Sequence, residues 1–447
     1  MANRIQYRRD TAANWTAANP TLAAGEPGLE TDTKKRKIGD GTTAWTALGY
    51  QAPDAATLAA TYSKPIGLTA VALGDSQTAQ GGVGGASDRG WFVWMNGILG
   101  QPWASFRNAG VNGDTLAQML ARVQADVLAY SPDIVFVFGG KNTISTGATF
   151  ASIQTTYTQI LDALATGGVS RVVVVTDPPH NGRSAAERAV RDQMNDWLRR
   201  LPQIRKQVIA TIDAYSAVVD PATGDYVSGL AYDLLHPSTS GAQAIGRVAA
   251  DVMGPRLPKV NLLPTGVDSL NLLGVAGSFI GARTTGIATG LSTDWSEYHT
   301  GTDSTFAKVA RTDGVQGEWQ QVTMAAAQHT QQIFKDITTG FAVGDTLYGM
   351  TEYQVDAVGE AISGGYPNWA FQIGFLDGSG NALAAPPYPV QALTSSDGRK
   401  TPAAGTFVAR TPDFVVPAGT VKLRVQFLNY AAATTIRHGR TVLRKVV

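Results

Sequence analysis

The sequence predicts a multidomain chain: a small turn-rich amino-terminal domain over residues 1–62, a central three-layer α/β domain with a parallel five-stranded sheet over 66–255, and a carboxyl-terminal antiparallel β-sandwich over 262–447. Three observations predict it. The first 62 residues are rich in Ala, Thr and Gly and are punctuated by Asn19-Pro20, Gly25-Glu26-Pro27-Gly28 and Gly39-Asp40-Gly41-Thr42. The middle alternates short apolar runs with longer stretches of helical period. From Leu262 onward the helical period fades and strand alternation replaces it.

The totals leave room for this plan and exclude several classes of function. A chain of 447 residues accommodates two or three domains. With 36 Lys+Arg against 35 Asp+Glu, and 16% charged residues, no electrostatic footprint for nucleic acid is present. The one basic cluster, Lys34 to Lys37, stands just before the Gly39-Asp40-Gly41 turn and is expected to be a solvated turn. Cysteine is absent, which excludes disulfides, thiolate zinc sites and a cysteine nucleophile. The first ten residues hold no apolar core of the kind a secretory signal needs, and no stretch approaches a membrane span.

Taken in order, the pieces between turns in residues 1–62 are too short and too weakly apolar to bury a good core alone, so a partner chain or oligomer is expected to stabilise them. In the middle, strand-like runs at 68–73, 103–107, 133–138, 171–175 and 208–212 alternate with helical patterns such as Thr115–Tyr130 and Ser184–Arg200. Ile134-Val135-Phe136-Val137-Phe138 and Val172-Val173-Val174-Val175 are apolar on both faces, as strands of a parallel sheet covered by helices on both sides must be. Around Gly254–Pro264, Pro255, Pro258 and Pro264 break any helix and mark a linker. Beyond it, Trp369–Phe375 and Val421–Phe427 alternate apolar and polar residues, with turns at Asp377–Asn381 and Pro417–Thr420.

Four polar words fall where these strands end, the position at which an open parallel sheet meets its ligand. Gly74-Asp75-Ser76 follows the first strand. Asn112-Gly113-Asp114-Thr115 follows the second and opens a helix, so its N–H groups can face an anion. Gly139-Gly140-Lys141-Asn142 follows the third, and Asp233-x-x-His236 precedes a last helix from about Ser238 to Met253. A serine after a strand is usually only a helix cap, and a lone Asp-x-x-His is common by chance. Together they supply a hydroxyl nucleophile (Ser76), its base (His236) and that base's orienter (Asp233). Asp75 is expected to brace the loop. His180 is expected to be a loop histidine that can line the same mouth, while Lys141 and Arg183 are rim charges or contacts to a polar substrate. Trp295, Trp319, Tyr348, Trp369 and Tyr388 are core aromatics or platforms for sugar rings.

The same four words resemble those of the SGNH, or GDSL-like, hydrolases, in order and over about 190 residues. The resemblance implies a flavodoxin-like three-layer fold and a serine esterase in which Ser76 attacks an ester carbonyl, His236 shuttles the proton and Asp233 orients the imidazole. It also implies that the oxyanion is held by the N–H groups of Ser76 and Gly113 and the side-chain amide of Asn142. One position departs from the pattern: where the family reads Gly-x-Asn-Asp, this chain has Gly140-Lys141-Asn142-Thr143, and the exchange at Thr143 is expected to weaken loop bracing.

At the amino terminus, Arg8, Trp15, Asn19-Pro20, Gly25-Glu26, Glu30, Asp32, Lys37 to Thr42 and Trp45 resemble the amino-terminal domain of phage major tropism determinants. The two resemblances imply an esterase of a virion tail fibre or spike, acting on acyl, foremost acetyl, esters of host surface polysaccharide. They imply other tail or baseplate proteins as partners, a homotrimer, and neither cofactor nor metal. The sandwich loosely resembles carbohydrate-binding modules by strand pattern alone. A non-catalytic receptor-binding protein that uses the hydrolase scaffold as a surface is the alternative, supported by Thr143. A free cellular esterase explains the middle domain but not residues 1–50.

Overall fold

The computed structural model describes residues 8–33, 35–50, 68–80, 89–258, 263, 270–285, 289–299, 304–324, 331–356, 369–383, 390–392, 405–429 and 434–446. The chain forms two compact units, Met1–Ile66 and Gly67–Val447.

In the first unit, β1 (Arg8–Asp10) pairs in parallel with β2 (Pro27–Glu30), which pairs antiparallel with β3 (Arg36–Ile38). Thr11 caps α1 (Ala12–Ala18), and Asn19 ends it in the left-handed conformation. This unit has a core of its own: Trp15 and Trp45 stack at 4.1 Å with Leu22 buried beside them. The Trp15 indole N–H is satisfied by the Leu29 carbonyl at 3.0 Å. The basic cluster is solvated, as the sequence predicted, at Lys35 and Arg36 but not at Lys37. Lys34 lies outside the described residues, but Lys37 is buried, its ammonium 5.0 Å from the Trp45 ring centre and bonded to the Trp45 carbonyl at 2.8 Å.

The second unit begins with the predicted parallel sheet. Its strands are β4 (Leu68–Gly74), β5 (Trp103–Gly110), β6 (Ile134–Phe138), β7 (Val172–Val175) and β8 (Val208–Ile212), in the order β5-β4-β6-β7-β8. This is the doubly wound order whose switch point lies beside the first strand. Alternation along β6 serves two layers: Val135 and Val137 enter one core, and Ile134, Phe136 and Phe138 the other.

The helices over these faces are α2 (Ser76–Ala79), α3 (Trp91–Ile98), α4 (Leu116–Ala121), α5 (Val123–Asp126), α6 (Lys141–Ser145), α7 (Phe150–Thr166), α8 (Ala185–Ile204), α9 (Ala214–Val218) and α10 (Thr239–Met253). The single helix predicted over Thr115–Tyr130 is broken into α4, α5 and a 3-10 turn at Leu128–Tyr130. The break falls at Arg122, which leaves helical dihedrals (φ −107°, ψ 6°) and turns its guanidinium toward the sheet.

The remaining strands form two antiparallel sheets. One comprises β10 (Ser304–Ala310), β11 (Glu318–Met324), β13 (Thr346–Val355), β16 (Gly405–Arg410), β17 (Phe414–Val415) and β19 (Thr434–Lys445). The other comprises β9 (Ser296–His299), β12 (Gln331–Ile337), β14 (Trp369–Leu376), β15 (Val390–Ala392) and β18 (Lys422–Asn429). Val322, Tyr353 and Ile436 of the first sheet meet Ile333, Phe371 and Phe427 of the second in one core. That core also takes in Trp94 of α3, which meets Phe407 edge-on at 5.3 Å. The α/β part and the sandwich are therefore packed together; residues 259–262 and 264 of the expected linker lie outside the described residues.

The sandwich aromatics divide. Trp295 is fully buried, stacked on Phe279 at 4.8 Å and bonded to the Ala276 carbonyl, so it is core and not a sugar platform. Trp319 and Tyr348 are partly buried and carry guanidinium groups over their rings, Arg311 at 4.4 Å and Arg410 at 4.6 Å. The side chain of Trp369 and the whole of Tyr388 lie outside the described residues.

Candidate active site

Gly74 ends β4 in a space that admits no side chain, since a Cβ there would lie 2.7 Å from the Phe138 carbonyl oxygen. Asp75 then turns the chain, and its carboxylate accepts the Gln77 N–H at 2.9 Å to cap α2. This is the bracing role the sequence predicted. Ser76 is the first residue of α2, so its own N–H has no intrahelical acceptor.

Asp233 and His236 come from the loop before α10. His236 Nε2 lies 2.9 Å from Ser76 Oγ, and His236 Nδ1 lies 2.9 Å from Asp233 Oδ2. The other Asp233 oxygen accepts the backbone N–H groups of Leu235 and His236, both at 2.7 Å. Partial burial would raise the Asp233 carboxyl, but the bonds from the His236 ring and the two backbone N–H groups outweigh it and hold the carboxyl below its usual range. The contacts suit the tautomer in which Nδ1–H is donated to Asp233 and Nε2 faces the serine hydroxyl.

The loop that carries His236 is tied down by residues the sequence reading passed over. Gln77, immediately after Ser76, donates its side-chain amide to the Leu235 carbonyl at 3.0 Å. The Tyr226 hydroxyl donates to the same carbonyl at 3.3 Å, and the Asn181 N–H donates to Leu234 at 2.8 Å. None of the three is marked by a motif; only the fold brings them there.

Gly113 sits in an exposed turn after β5 at φ +81°, a conformation that favours glycine. Its N–H and that of Ser76 have no acceptor among the described residues. Asn142, in the first turn of α6, spends one amide hydrogen on the Asp114 carbonyl at 3.0 Å, which ties its block to that of Gly113. Thr143, where the sequence predicts weaker loop bracing, still makes one bracing contact. Its hydroxyl accepts the Leu116 N–H at 2.9 Å, fixing the start of α4. Arg122 adds a clamp: it donates to Asp114 at 2.6 Å, to the Ala109 carbonyl at 2.7 Å and to the Gly74 carbonyl at 2.8 Å.

Lys141 and Arg183 are not rim charges. Both are buried under the site, where Lys141 donates to the Pro178 and Pro179 carbonyls at 2.8 and 2.9 Å and pairs with Asp177 at 3.3 Å. Arg183 pairs with Asp177 at 3.4 Å and donates to the Lys141 carbonyl at 2.7 Å. The Arg183 Nε–H also meets His180 Nδ1 at 3.1 Å, which makes His180 a held loop residue. Desolvation, followed by the Asp177 charge against the partial relief of the Gln77 N–H, pushes the buried Asp75 carboxyl up to about 7. No group of three or more potential metal ligands converges among the described residues.

Residues 72–244 match the model of the GDSL-like Lipase/Acylhydrolase family, and residues 5–43 match the major tropism determinant N-terminal domain. No curated protein matches the chain. Among solved structures, a putative lipolytic protein of the G-D-S-L family from Desulfitobacterium hafniense DCB-2 is 20% identical, with a TM-score of 0.35, over 41% of this chain and 98% of its own. An acetylxylan esterase from Geobacillus stearothermophilus, in a catalytic-mutant form, is 21% identical with a TM-score of 0.35 over 41% of this chain and 94% of its own. The enzymatically active domain of tailspike protein 4 from Bacteriophage CBA120 is 14% identical with a TM-score of 0.30, over 40% of this chain and 22% of its own.

Proposed function

We propose that the GDSL-like acylhydrolase domain of this chain is a working serine esterase in a phage tail fibre or spike, and that it removes acyl groups, foremost acetyl, from host surface polysaccharide. The observation that carries the reading is the pair of 2.9 Å contacts linking Asp233, His236 and Ser76. In this reading His236 Nε2 takes the serine proton as Oγ attacks the ester carbonyl carbon. The resulting oxyanion is met by the N–H groups of Ser76 and Gly113 and the free amide hydrogen of Asn142. Collapse expels the sugar alkoxide, which receives the proton from Nε2. Water, deprotonated by the same nitrogen, then attacks the acyl-enzyme to release the carboxylic acid and restore Ser76.

The division of labour proposed is attachment to other tail or baseplate proteins by residues 1–62, ester hydrolysis by 66–255 and glycan contact by 262–447, in a homotrimer. The tropism-determinant match at residues 5–43 supports placement in the tail. The alternative, a non-catalytic receptor-binding scaffold, draws on the Thr143 exchange; the Thr143–Leu116 hydrogen bond at 2.9 Å speaks for the catalytic reading over it.

The test compares wild type with Ser76→Ala, both shown to be folded, for release of p-nitrophenol from p-nitrophenyl acetate and of acetate from host envelope. Loss of both activities in the mutant is expected. Equal, background-level signals from the two proteins would move the assignment to the binding scaffold.

A further inference from the structure

A groove of about 540 Å³ runs along β5 on the free side of the parallel sheet, within the ~300–1,000 Å³ usual for ligand clefts. Among the described residues strand β5 pairs only with β4, so its outer edge is not part of a further ladder there. The facing wall is Arg410-Thr411-Pro412 from the sandwich, so both parts of the unit build the groove. Its lining contains two arginines and no Asp or Glu.

Arg107 is the informative residue. Its guanidinium lies 3.9 Å from the centre of the half-exposed Tyr130 ring, and Nε donates to the Asp126 carbonyl at 3.3 Å. Its terminal nitrogens have no partner among the described residues, and no carboxylate neutralises it. A planar fork held over a ring, with its terminal pair of nitrogens free, matches the geometry of a carboxylate. Arg410, over the ring of Tyr348, is paired with Asp413 at 2.6 Å and donates to the Thr411 carbonyl at 3.2 Å, so the uncompensated charge of the groove is that of Arg107.

The upper end of the groove reaches the esterase. Asn108, which lines it, donates to the carbonyl of Ala79 at 3.4 Å, and Ala79 closes the short helix that Ser76 opens. Arg107 precedes Gly110, the last residue of β5, by three positions, or ~10 Å along the strand. That separation is within the span of a short oligosaccharide.

We propose that this groove is a second subsite which binds a carboxylate-bearing sugar of an acidic polysaccharide and so presents the chain to Ser76. The proposal rests on the glycan-esterase reading for its substrate class. Its own content, the charge of the glycan and the place that reads it, is tested without turnover.

The experiment titrates the full chain with galacturonate hexamer, its fully methyl-esterified form and hexaglutamate, following heat, and repeats this for Arg107→Gln and Arg410→Gln. Saturable binding of the acid hexamer, about tenfold weaker for the neutral ester and for Arg107→Gln, and weakening with salt, is expected. Hydrolysis of p-nitrophenyl acetate by both variants should stay within about twofold of wild type, which also shows that they are folded. Absence of binding, equal affinity for the neutral hexamer, or wild-type affinity in both variants would overturn the proposal. Equal binding of hexaglutamate would reassign the groove to an extended acidic peptide. Because affinity is read directly, an inert Ser76 would sink the esterase reading and leave this one standing or falling on its own.

Discussion

The side-chain amide of Gln77 donates to the carbonyl of Leu235 at 3.0 Å, joining the residue after the candidate nucleophile to the residue before the candidate base. The two ends of the Ser76–His236 contact are thus fixed to each other at the backbone and not only through the reacting side chains. Gln77→Met keeps the volume and removes the donor. We expect kcat/KM on p-nitrophenyl acetate to fall about tenfold, the equivalent of roughly 1.4 kcal/mol, with little change in thermal stability. Unchanged kinetics would mean that the Tyr226 hydroxyl alone suffices to hold the loop.

Arg122 joins the carbonyl ends of β4 and β5 to Asp114, the neighbour of Gly113. Arg122→Met should lower kcat by about a hundredfold while KM on a small ester moves little, because the proposed oxyanion donors lose their relative placement. Arg122→Lys should not rescue it, since one ammonium cannot span three acceptors in a plane. A Lys variant with wild-type kcat would show that charge, not the fork, is what matters.

Asn142 and Thr143 are adjacent but should separate experimentally. Asn142→Ala removes a proposed oxyanion donor and should cost about 10²–10³-fold in kcat. Thr143→Val orphans the Leu116 N–H at the start of α4 and should instead cost about 1 kcal/mol of stability, seen in urea unfolding, with a smaller kinetic effect. Equal kinetic penalties would argue against the assignment of the oxyanion role to Asn142.

His438 should make the sandwich acid-sensitive. It is fully buried, its ring 4.1 Å from that of Phe427, with neither nitrogen hydrogen-bonded among the described residues. Desolvation pushes it down to about 3, so the folded state keeps it neutral where the unfolded state takes up a proton. The stability this neutral ring contributes is fully present above the unfolded value of about 6.5 and is lost as pH falls toward 3, by up to about 1.4 kcal/mol per unit. Urea unfolding of His438→Leu at pH 7 and pH 5 should show a smaller loss than wild type. Parallel losses in the two proteins would place the acid sensitivity elsewhere.

Much of the site was legible because its residues lie in short words at strand ends. Gly74-Asp75-Ser76, Gly113, Asn142 and the Asp233–His236 pair all fall at one end of one sheet. The sequence misread residues whose meaning depends on distant neighbours. Lys141 and Arg183 read as rim charges because both are cationic and sit in loops, yet Asp177 draws them into the interior. The acceptor role of Thr143 is visible only once Leu116 is beside it.

By itself the sequence determined the order of strands and helices in the α/β part, the alternation of the sandwich strands and the identity of the four polar blocks. These follow from local periodicity and from residue types that are chemically unambiguous at close spacing. Tertiary structure alone decided that Ser76 and His236, 160 positions apart, meet at 2.9 Å, and that Gln77, Arg122 and Tyr226 hold them there. It also decided that the α/β layer and the sandwich share a core around Trp94 and enclose the groove at Arg107. The physical reason is that a period or motif reports a residue's neighbours in sequence. Hydrogen bonds, desolvation and packing depend on neighbours in space, and those are set only when the sheet closes its register.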